Sequence, residues 1–372
     1  MNCKKYINLL FSGTSNYIKY ATVTILSALE NLQENVGINV YFLYADIIEP
    51  IDEDVKNAWI EQVLYTFRDK NVNFNFIDVS DKMHLVENLN IGMWGREISL
   101  THYIYLLAPL IIKNVDKIIY LDCDMIVNYG LSEVFDNDMG DNLIALAKQH
   151  GFELDEEDFN SGFSVINLKQ WIKEDTLTDI IKFGEQLPKS DFCDQYLLNE
   201  YFGKTHSNRI MLFDKKYNLF PITYPELNLS EIKILHYAGP NIKPWYDLDC
   251  NYRGSFLWWQ YARETVFYES FIADYIMHHR LCIEDWMSKD YNEKIGDCYN
   301  RINDCHNRIN DCQNIMNVCL NRISGCEKWL SKCFETVDKH YKKSIEYIFL
   351  FRPFEILVKM LIIVKLKIFE QL

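Results

Sequence analysis

The chain has 372 residues and a mass of 44.3 kDa, with 49% apolar residues and a formal net charge of -15. That apolar fraction excludes a disordered chain, and the length suits one catalytic-sized domain with an appendage. A nucleic-acid binder needs a basic footprint to neutralise phosphates. With 38 Lys+Arg against 53 Asp+Glu the balance is the reverse, and no nucleic-acid partner is expected.

Residues 1–13 carry Lys4-Lys5 and then an apolar stretch that is short and broken by Asn8, so no signal peptide is predicted. Four β-rich runs follow in order: 6–12 (YINLLFS), 38–44 (INVYFLY), 72–77 (VNFNFI) and 117–121 (KIIYL). Between them, 17–34, 52–70 and 97–112 have the length and apolar spacing of helices. Alternation of this kind predicts an α/β fold, a mostly parallel sheet with helices on both faces. Ligands in such sheets sit at the carboxyl ends of strands, so the residues just after each strand matter most.

The alternating pattern fades after about residue 250. Residues 256–294 read as a helical linker. From 295 to 333 a heptad repeat runs through Ile295, Ile302, Ile309, Met316, Ile323 and Leu330. Each is followed three residues later by a cysteine, from Cys298 to Cys333. Apolar a and d positions sustained over this length predict a coiled coil, most simply a homodimer. Zinc ligation is the competing use of the cysteines. Seven-residue helical spacing spreads them along about 50 Å of axis, too far apart for one tetrahedral site. Residues 334–372 turn basic and aromatic, with seven Lys/Arg against five Asp/Glu. They read as an amphipathic tail for peripheral membrane contact. No run of about 18 uncharged apolar residues exists, so no ordinary membrane span is predicted. The expected location is the cytoplasm, a reducing compartment, on the inner face of the cytoplasmic membrane.

The sharpest chemical signal is Asp122-Cys123-Asp124, directly after the strand KIIYL. Two carboxylates at i and i+2 on an extended backbone point the same way. Such a pair at a strand's carboxyl end is a hard-oxygen site for Mg²⁺ or Mn²⁺, able to hold an ion that neutralises a diphosphate. The bland alternative is a solvated turn, the commonest setting for this pattern. Further motifs follow in order: YLDCDMIV (120–127) with LSEVFD (131–136), FNSGFSVINL (159–168), Asp194-Gln195 with Leu198-Asn199, and HYAGPNIKPW (236–245).

Together these motifs resemble the retaining glycosyltransferase family 8, which includes bacterial lipopolysaccharide galactosyl- and glucosyltransferases and is related to glycogenin. The resemblance implies a Rossmann-like nucleotide-diphospho-sugar transferase fold of GT-A type over residues 1–255. It implies a Mn²⁺ site from Asp122, Asp124 and His236, with Mg²⁺ as the alternative ion. Carried over residue by residue, Ser12, Asn16 and Tyr17 meet the nucleotide, Tyr17 by stacking on uracil, and Cys123 belongs to the same donor-binding set. Asn160 and Gly162 line the donor sugar, Asp194 bonds to its hydroxyls, and Gln195 sits beneath the anomeric carbon. Gly239 allows close backbone approach, and Lys243 offers a cation to the departing diphosphate. The implied reaction moves a hexose from a UDP-hexose donor, with retention, to a cell-envelope glycan or glycolipid acceptor of lipopolysaccharide type. Three features depart from the family pattern, one of them an extra residue between His236 and Lys243. Thr14 replaces an acid, and in LTHYIYL (100–106) Tyr105 replaces an Arg. The alternative reading is therefore a catalytically silent sugar-nucleotide-binding or scaffold protein that oligomerises through its heptads.

Overall fold

The computed structural model describes residues 5–47, 50–89, 100–148, 158–190, 192–221, 228–239, 243–246, 254–289, 324 and 328. The chain divides into two compact units, Met1–Ile283 and Glu284–Leu372. The expected heptad coiled coil, apart from Ser324 and Lys328, and the basic tail lie outside the described residues.

Strand β1 (Lys5–Gly13) buries Ile7, Leu9 and Phe11 against one layer and Leu10 against the other. A strand apolar on both faces belongs in the middle of a covered sheet. Helix α1 (Ile18–Glu30) returns the chain to β2 (Val36–Tyr44), which pairs with β1 in parallel. Helix α2 (Glu53–Thr66) opens at Asp52, whose carboxylate accepts the N–H groups of Asp54 and Val55 as an N-cap. It leads to β3 (Val72–Asp78), parallel to β2.

The helix expected over 97–112 is not one helix where it is described. A 3-10 turn, Ile104–Leu107, passes into the four-residue α3 (Ala108–Ile111). Pro109 is the cause: its ring excludes the carbonyl four residues back, and its missing N–H is tolerated only in a first turn.

Strand β4 (Ile118–Leu121) then lies parallel to β1. After β5 (Met125–Val127) come α4 (Leu131–Asp136), β6 (Ile144–Lys148) and β7 (Phe159–Ile166). Helices α5 (Leu168–Glu174), α6 (Thr176–Gly184) and α7 (Cys193–Leu198) follow, the last continuing as a π-helical turn, Asn199–Thr205. Strands β8 (Ile210–Phe213) and β9 (Ile234–His236) complete the set. The main sheet runs β3-β2-β1-β4-β7-β6-β8, with β7 antiparallel to both neighbours and the other pairs parallel. This is the mostly parallel α/β architecture that the alternating pattern predicts.

Helices α8 (Ser255–Ala262) and α9 (Tyr268–Lys289) fall in the stretch read as a linker. Trp258 of α8 is fully buried, 4.8 Å from the Trp245 ring and 5.0 Å from that of Phe271. Among the described residues no helix is long and apolar enough to cross a membrane.

Candidate metal and donor site

At the carboxyl end of β4 the ladder continues for one more residue, because the Asp122 N–H donates to Gly162 O at 2.9 Å. The chain then turns at Cys123 and Asp124 instead of staying extended. The two acids therefore meet through a turn, and the extended i, i+2 argument does not describe them. Helix α1 holds that turn from behind. The buried Thr24 hydroxyl lies 3.0 Å from Cys123 O and 2.8 Å from Met125 O, and the Val127 N–H donates to Ser27 Oγ at 2.9 Å. Cys123 is buried, with its thiol directed at Ser12 O 3.8 Å away.

The third member of the cluster arrives from far along the chain. Strands β5 and β9 pair in antiparallel fashion with Met125 opposite His236, and the Tyr237 N–H donates to Asp124 O at 3.0 Å. His236 Nε2 consequently stands 3.4 Å from Asp122 Oδ2 and 3.3 Å from Asp124 Oδ1. The ligand atoms of the three residues lie within 4.8 Å of one another. Two carboxylates and an imidazole are a donor set that suits Mn²⁺. Gly162 makes room for them: a Cβ at that position would stand 2.3 Å from His236 Cε1 and 2.7 Å from Asp122 Oδ2.

Charge within the cluster is balanced by the protein. Lys243 Nζ donates to Asp124 Oδ2 and, at 2.9 Å, to Tyr237 O. Burial alone would raise the Asp124 carboxyl, but Lys243 and His236 reverse the effect and hold it well below the ordinary carboxylate range. Burial would likewise lower the His236 imidazole, yet Asp124 and Asp122 push it up to about 9. A divalent ion taken up here would release the imidazole proton and compete with Lys243 for Asp124.

Beside the acids lie the residues assigned to the sugar. Asn160 Nδ2 donates to Gln195 Oε1 at 2.7 Å, and Asn160 Oδ1 accepts the Gly162 N–H at 3.0 Å. Asp194 is buried and has His102 Nδ1 3.6 Å from its Oδ1. Partial burial would lower the His102 imidazole; Asp194 outweighs it and holds the group above its ordinary value. Tyr105 stacks on Tyr120 at 4.4 Å, and the Tyr120 hydroxyl donates to Asp122 Oδ1 at 2.6 Å. The Tyr105 hydroxyl is buried without a hydrogen bond of normal geometry, close enough to Asp194 for that charge to add to burial in raising its phenol.

The residues assigned to the nucleotide sit at the end of β1. Ser12 Oγ lies 3.4 Å from the Tyr120 hydroxyl, and Asn16 Oδ1 accepts from the Thr14 hydroxyl. Tyr17 precedes α1 and as a residue is 43% exposed. Its neighbour Tyr20, 5.8 Å away, stacks on Trp245 at 4.5 Å, tying this end to the KPW segment. Gly239 has φ +105°, a left-handed conformation that favours glycine, and residues 240–242 lie outside the described set.

Two polar residues to which the sequence assigns no role join the site. His102 faces Asp194. Asn218 accepts from His236 Nδ1 at 2.8 Å and donates to Asn160 Oδ1 at 3.0 Å. His102 lies in the LTHYIYL segment and Asn218 in no motif, but neither pairing shows locally, since the partners are remote in the chain.

The sequence pattern of glycosyl transferase family 8 matches residues 8–249. Glycosyltransferase GlyB of Streptococcus pneumoniae is 25% identical over 226 residues, 56% of this chain and 53% of GlyB. Lipopolysaccharide 1,3-galactosyltransferase of Salmonella typhimurium is 27% identical over 172 residues, 39% of this chain and 49% of that protein. The chain thus spans about half the length of these curated relatives. The solved structure of galactosyltransferase LgtC, in complex with donor and acceptor sugar analogs, shares the fold. It aligns with a TM-score of 0.51 at 23% identity, over 70% of this chain and 96% of that one.

Proposed function

Because the chain belongs to glycosyl transferase family 8, we propose that it moves a hexose from a UDP-hexose, with retention, to a cell-envelope glycan or glycolipid, using Mn²⁺ held by Asp122, Asp124 and His236. The observation that carries this reading is the three-ligand cluster, closed against Gly162 and sharing Asp124 with Lys243. Bound there, the ion supplies charge neutralisation to the diphosphate as it departs.

The chain's own groups do the rest. Tyr17, an exposed residue, offers its ring to the uracil face, with Ser12 and Asn16 near it at the end of β1. Lys243, which meets Asp124 and the Tyr237 carbonyl, would offer its charge to the phosphate oxygens as negative charge builds on them. Asn160 and Gly162 border the sugar, Asp194 accepts from its hydroxyls, and the Gln195 carboxamide lies beneath the anomeric carbon. An amide is a poor nucleophile, so attack from the face of the departing phosphate is favoured over a covalent intermediate. Similarity to the lipopolysaccharide 1,3-galactosyltransferase of Salmonella typhimurium supports a lipopolysaccharide-type acceptor. In the same reading, residues 295–333 dimerise the protein and 334–372 hold it at the membrane surface where lipid-linked acceptors lie.

Tyr105 favours a second reading. The family resemblance sets an Arg there, and a buried phenol supplies no positive charge, as a silent sugar-nucleotide-binding scaffold would tolerate. UDP release from UDP-Glc, UDP-Gal and UDP-GlcNAc, with and without Mn²⁺, separates the two. Mn²⁺-dependent release from one donor is expected; binding of UDP with no release from any donor would establish the scaffold.

A further inference from the structure

His236 and Gln195 are joined by a chain of side-chain amides. His236 Nδ1 meets Asn218 Oδ1 at 2.8 Å, and Asn218 Nδ2 meets Asn160 Oδ1 at 3.0 Å and Asn160 O at 3.4 Å. Asn160 Nδ2 then meets Gln195 Oε1 at 2.7 Å. The four residues are buried or partly buried, with Asn218 only 4% exposed.

The ends of an amide and the tautomers of an imidazole are interchangeable until a group of fixed polarity sets them. Here a backbone amide does so. The Gly162 N–H donates to Asn160 at 3.0 Å, and a main-chain N–H cannot become an acceptor. The receiving atom is therefore Asn160 Oδ1, and its Nδ2 faces Gln195, which must answer with Oε1. In the other direction, Asn218 faces two Asn160 oxygens and must present Nδ2 to them. Its Oδ1 is then turned to His236, whose Nδ1 has to carry the hydrogen. Nε2 is left for the side where Asp122 and Asp124 lie.

We propose that Asn218 is a positioning residue that sets both halves of the site at once. It holds His236 in the tautomer that offers Nε2 to the metal, and through Asn160 it fixes the rotation of the Gln195 carboxamide under the donor sugar. The proposal rests on the Mn²⁺-dependent, UDP-hexose reading given above. Partners that accept the second N–H of a metal-bound histidine are worth about 10–100-fold in metal affinity. Asn218 differs from such a partner in having a second task, because its donor end serves a different residue.

The two tasks separate by substitution. Asn218→Asp keeps an acceptor for His236 Nδ1 but has no hydrogen to give Asn160, whereas Asn218→Leu loses both. Mn²⁺ affinity of the full-length protein is measured by calorimetry with UDP present, alongside kcat and KM for UDP-hexose hydrolysis. Asn218→Leu is expected to weaken Mn²⁺ binding by about 10–100-fold. Asn218→Asp is expected to bind Mn²⁺ within about threefold of the original protein and to keep KM, yet to lose about tenfold or more in kcat. If Asn218→Leu does not fold, as judged by circular dichroism, Asn218→Asp decides alone, being nearly isosteric. Unchanged kcat in Asn218→Asp, or unchanged Mn²⁺ affinity in folded Asn218→Leu, overturns the proposal while leaving the functional reading intact. An unsubstituted protein that takes up no Mn²⁺ overturns that reading and the proposal with it.

Discussion

Met125 stands directly opposite His236 in the two-stranded sheet of β5 and β9, one residue beyond the second acid of the Asp-Cys-Asp turn. This single pairing carries a histidine from the last of the sequence motifs to within 3.3 Å of Asp124. The tightness of the resulting cluster makes it testable one residue at a time.

Asp124→Asn removes one charge while keeping volume. It is expected to lower Mn²⁺-dependent UDP-hexose hydrolysis by at least about 100-fold, since a ligand to a catalytic ion is worth several kcal/mol in the transition state. Circular dichroism should show the fold retained. Hydrolysis at the original rate would remove Asp124 from the metal site.

Gly162→Ala tests the same cluster sterically. The added methyl would stand 2.3 Å from His236 Cε1, so the imidazole or the β7 backbone has to shift. Mn²⁺ affinity should fall by about tenfold or more as the ligand geometry is lost. Unaltered Mn²⁺ titration would mean that the cluster tolerates displacement of His236 and that its spacing is not what holds the ion.

Gln195→Ala is expected to reduce kcat more than it weakens UDP binding, because Gln195 is proposed to meet the sugar and not the nucleotide. A drop of about tenfold or more in kcat with UDP affinity within about threefold would agree with that division. Equal losses in both would contradict it.

Acidity supplies a fourth test. The His236 imidazole rises from 6.5 to about 9 through its carboxylate neighbours. The metal-free protein thus binds an extra proton on folding. Its contribution to stability is full below pH 6.5 and disappears as pH climbs through about 9. Melting temperature of protein treated with a chelator should accordingly fall across that interval. Mn²⁺ affinity should move the opposite way, rising by up to about tenfold per pH unit because the ion must displace that proton. A melting temperature that stays level between these pH values would contradict the His236 assignment.

The first four strands are readable in the sequence because each is a run of β-branched and aromatic residues long enough to show a pattern. Strands β5 and β9 have three residues each, too few for any periodicity. Strand β7 opens with Phe159, Asn160, Ser161 and Gly162, and its polar and glycine residues hide its strand character while marking it as a motif. Asp122 and Asp124 are legible because a strand ends just before them. Their approach to each other through a turn is not, since it depends on hydroxyls from α1. Asn218 shows nothing locally: it lies between Tyr217 and Leu219, and only the fold brings Asn160 and His236 to its two ends.

Helix α1 starts just after Tyr17, and its Thr24 and Ser27 hydroxyls fasten the backbone beside the two acids. Thr24 comes seven residues after Tyr17, an axial distance of about 10 Å. In a UDP-sugar donor bound as proposed, the base and the diphosphate would be gripped from one rigid rod. The spacing between the two grips is then set by a count of helical residues, like graduations on a ruler. A nucleotide with a shorter or longer phosphate bridge could satisfy one grip only by slipping from the other, so selection of the donor's length would be written into the helix itself.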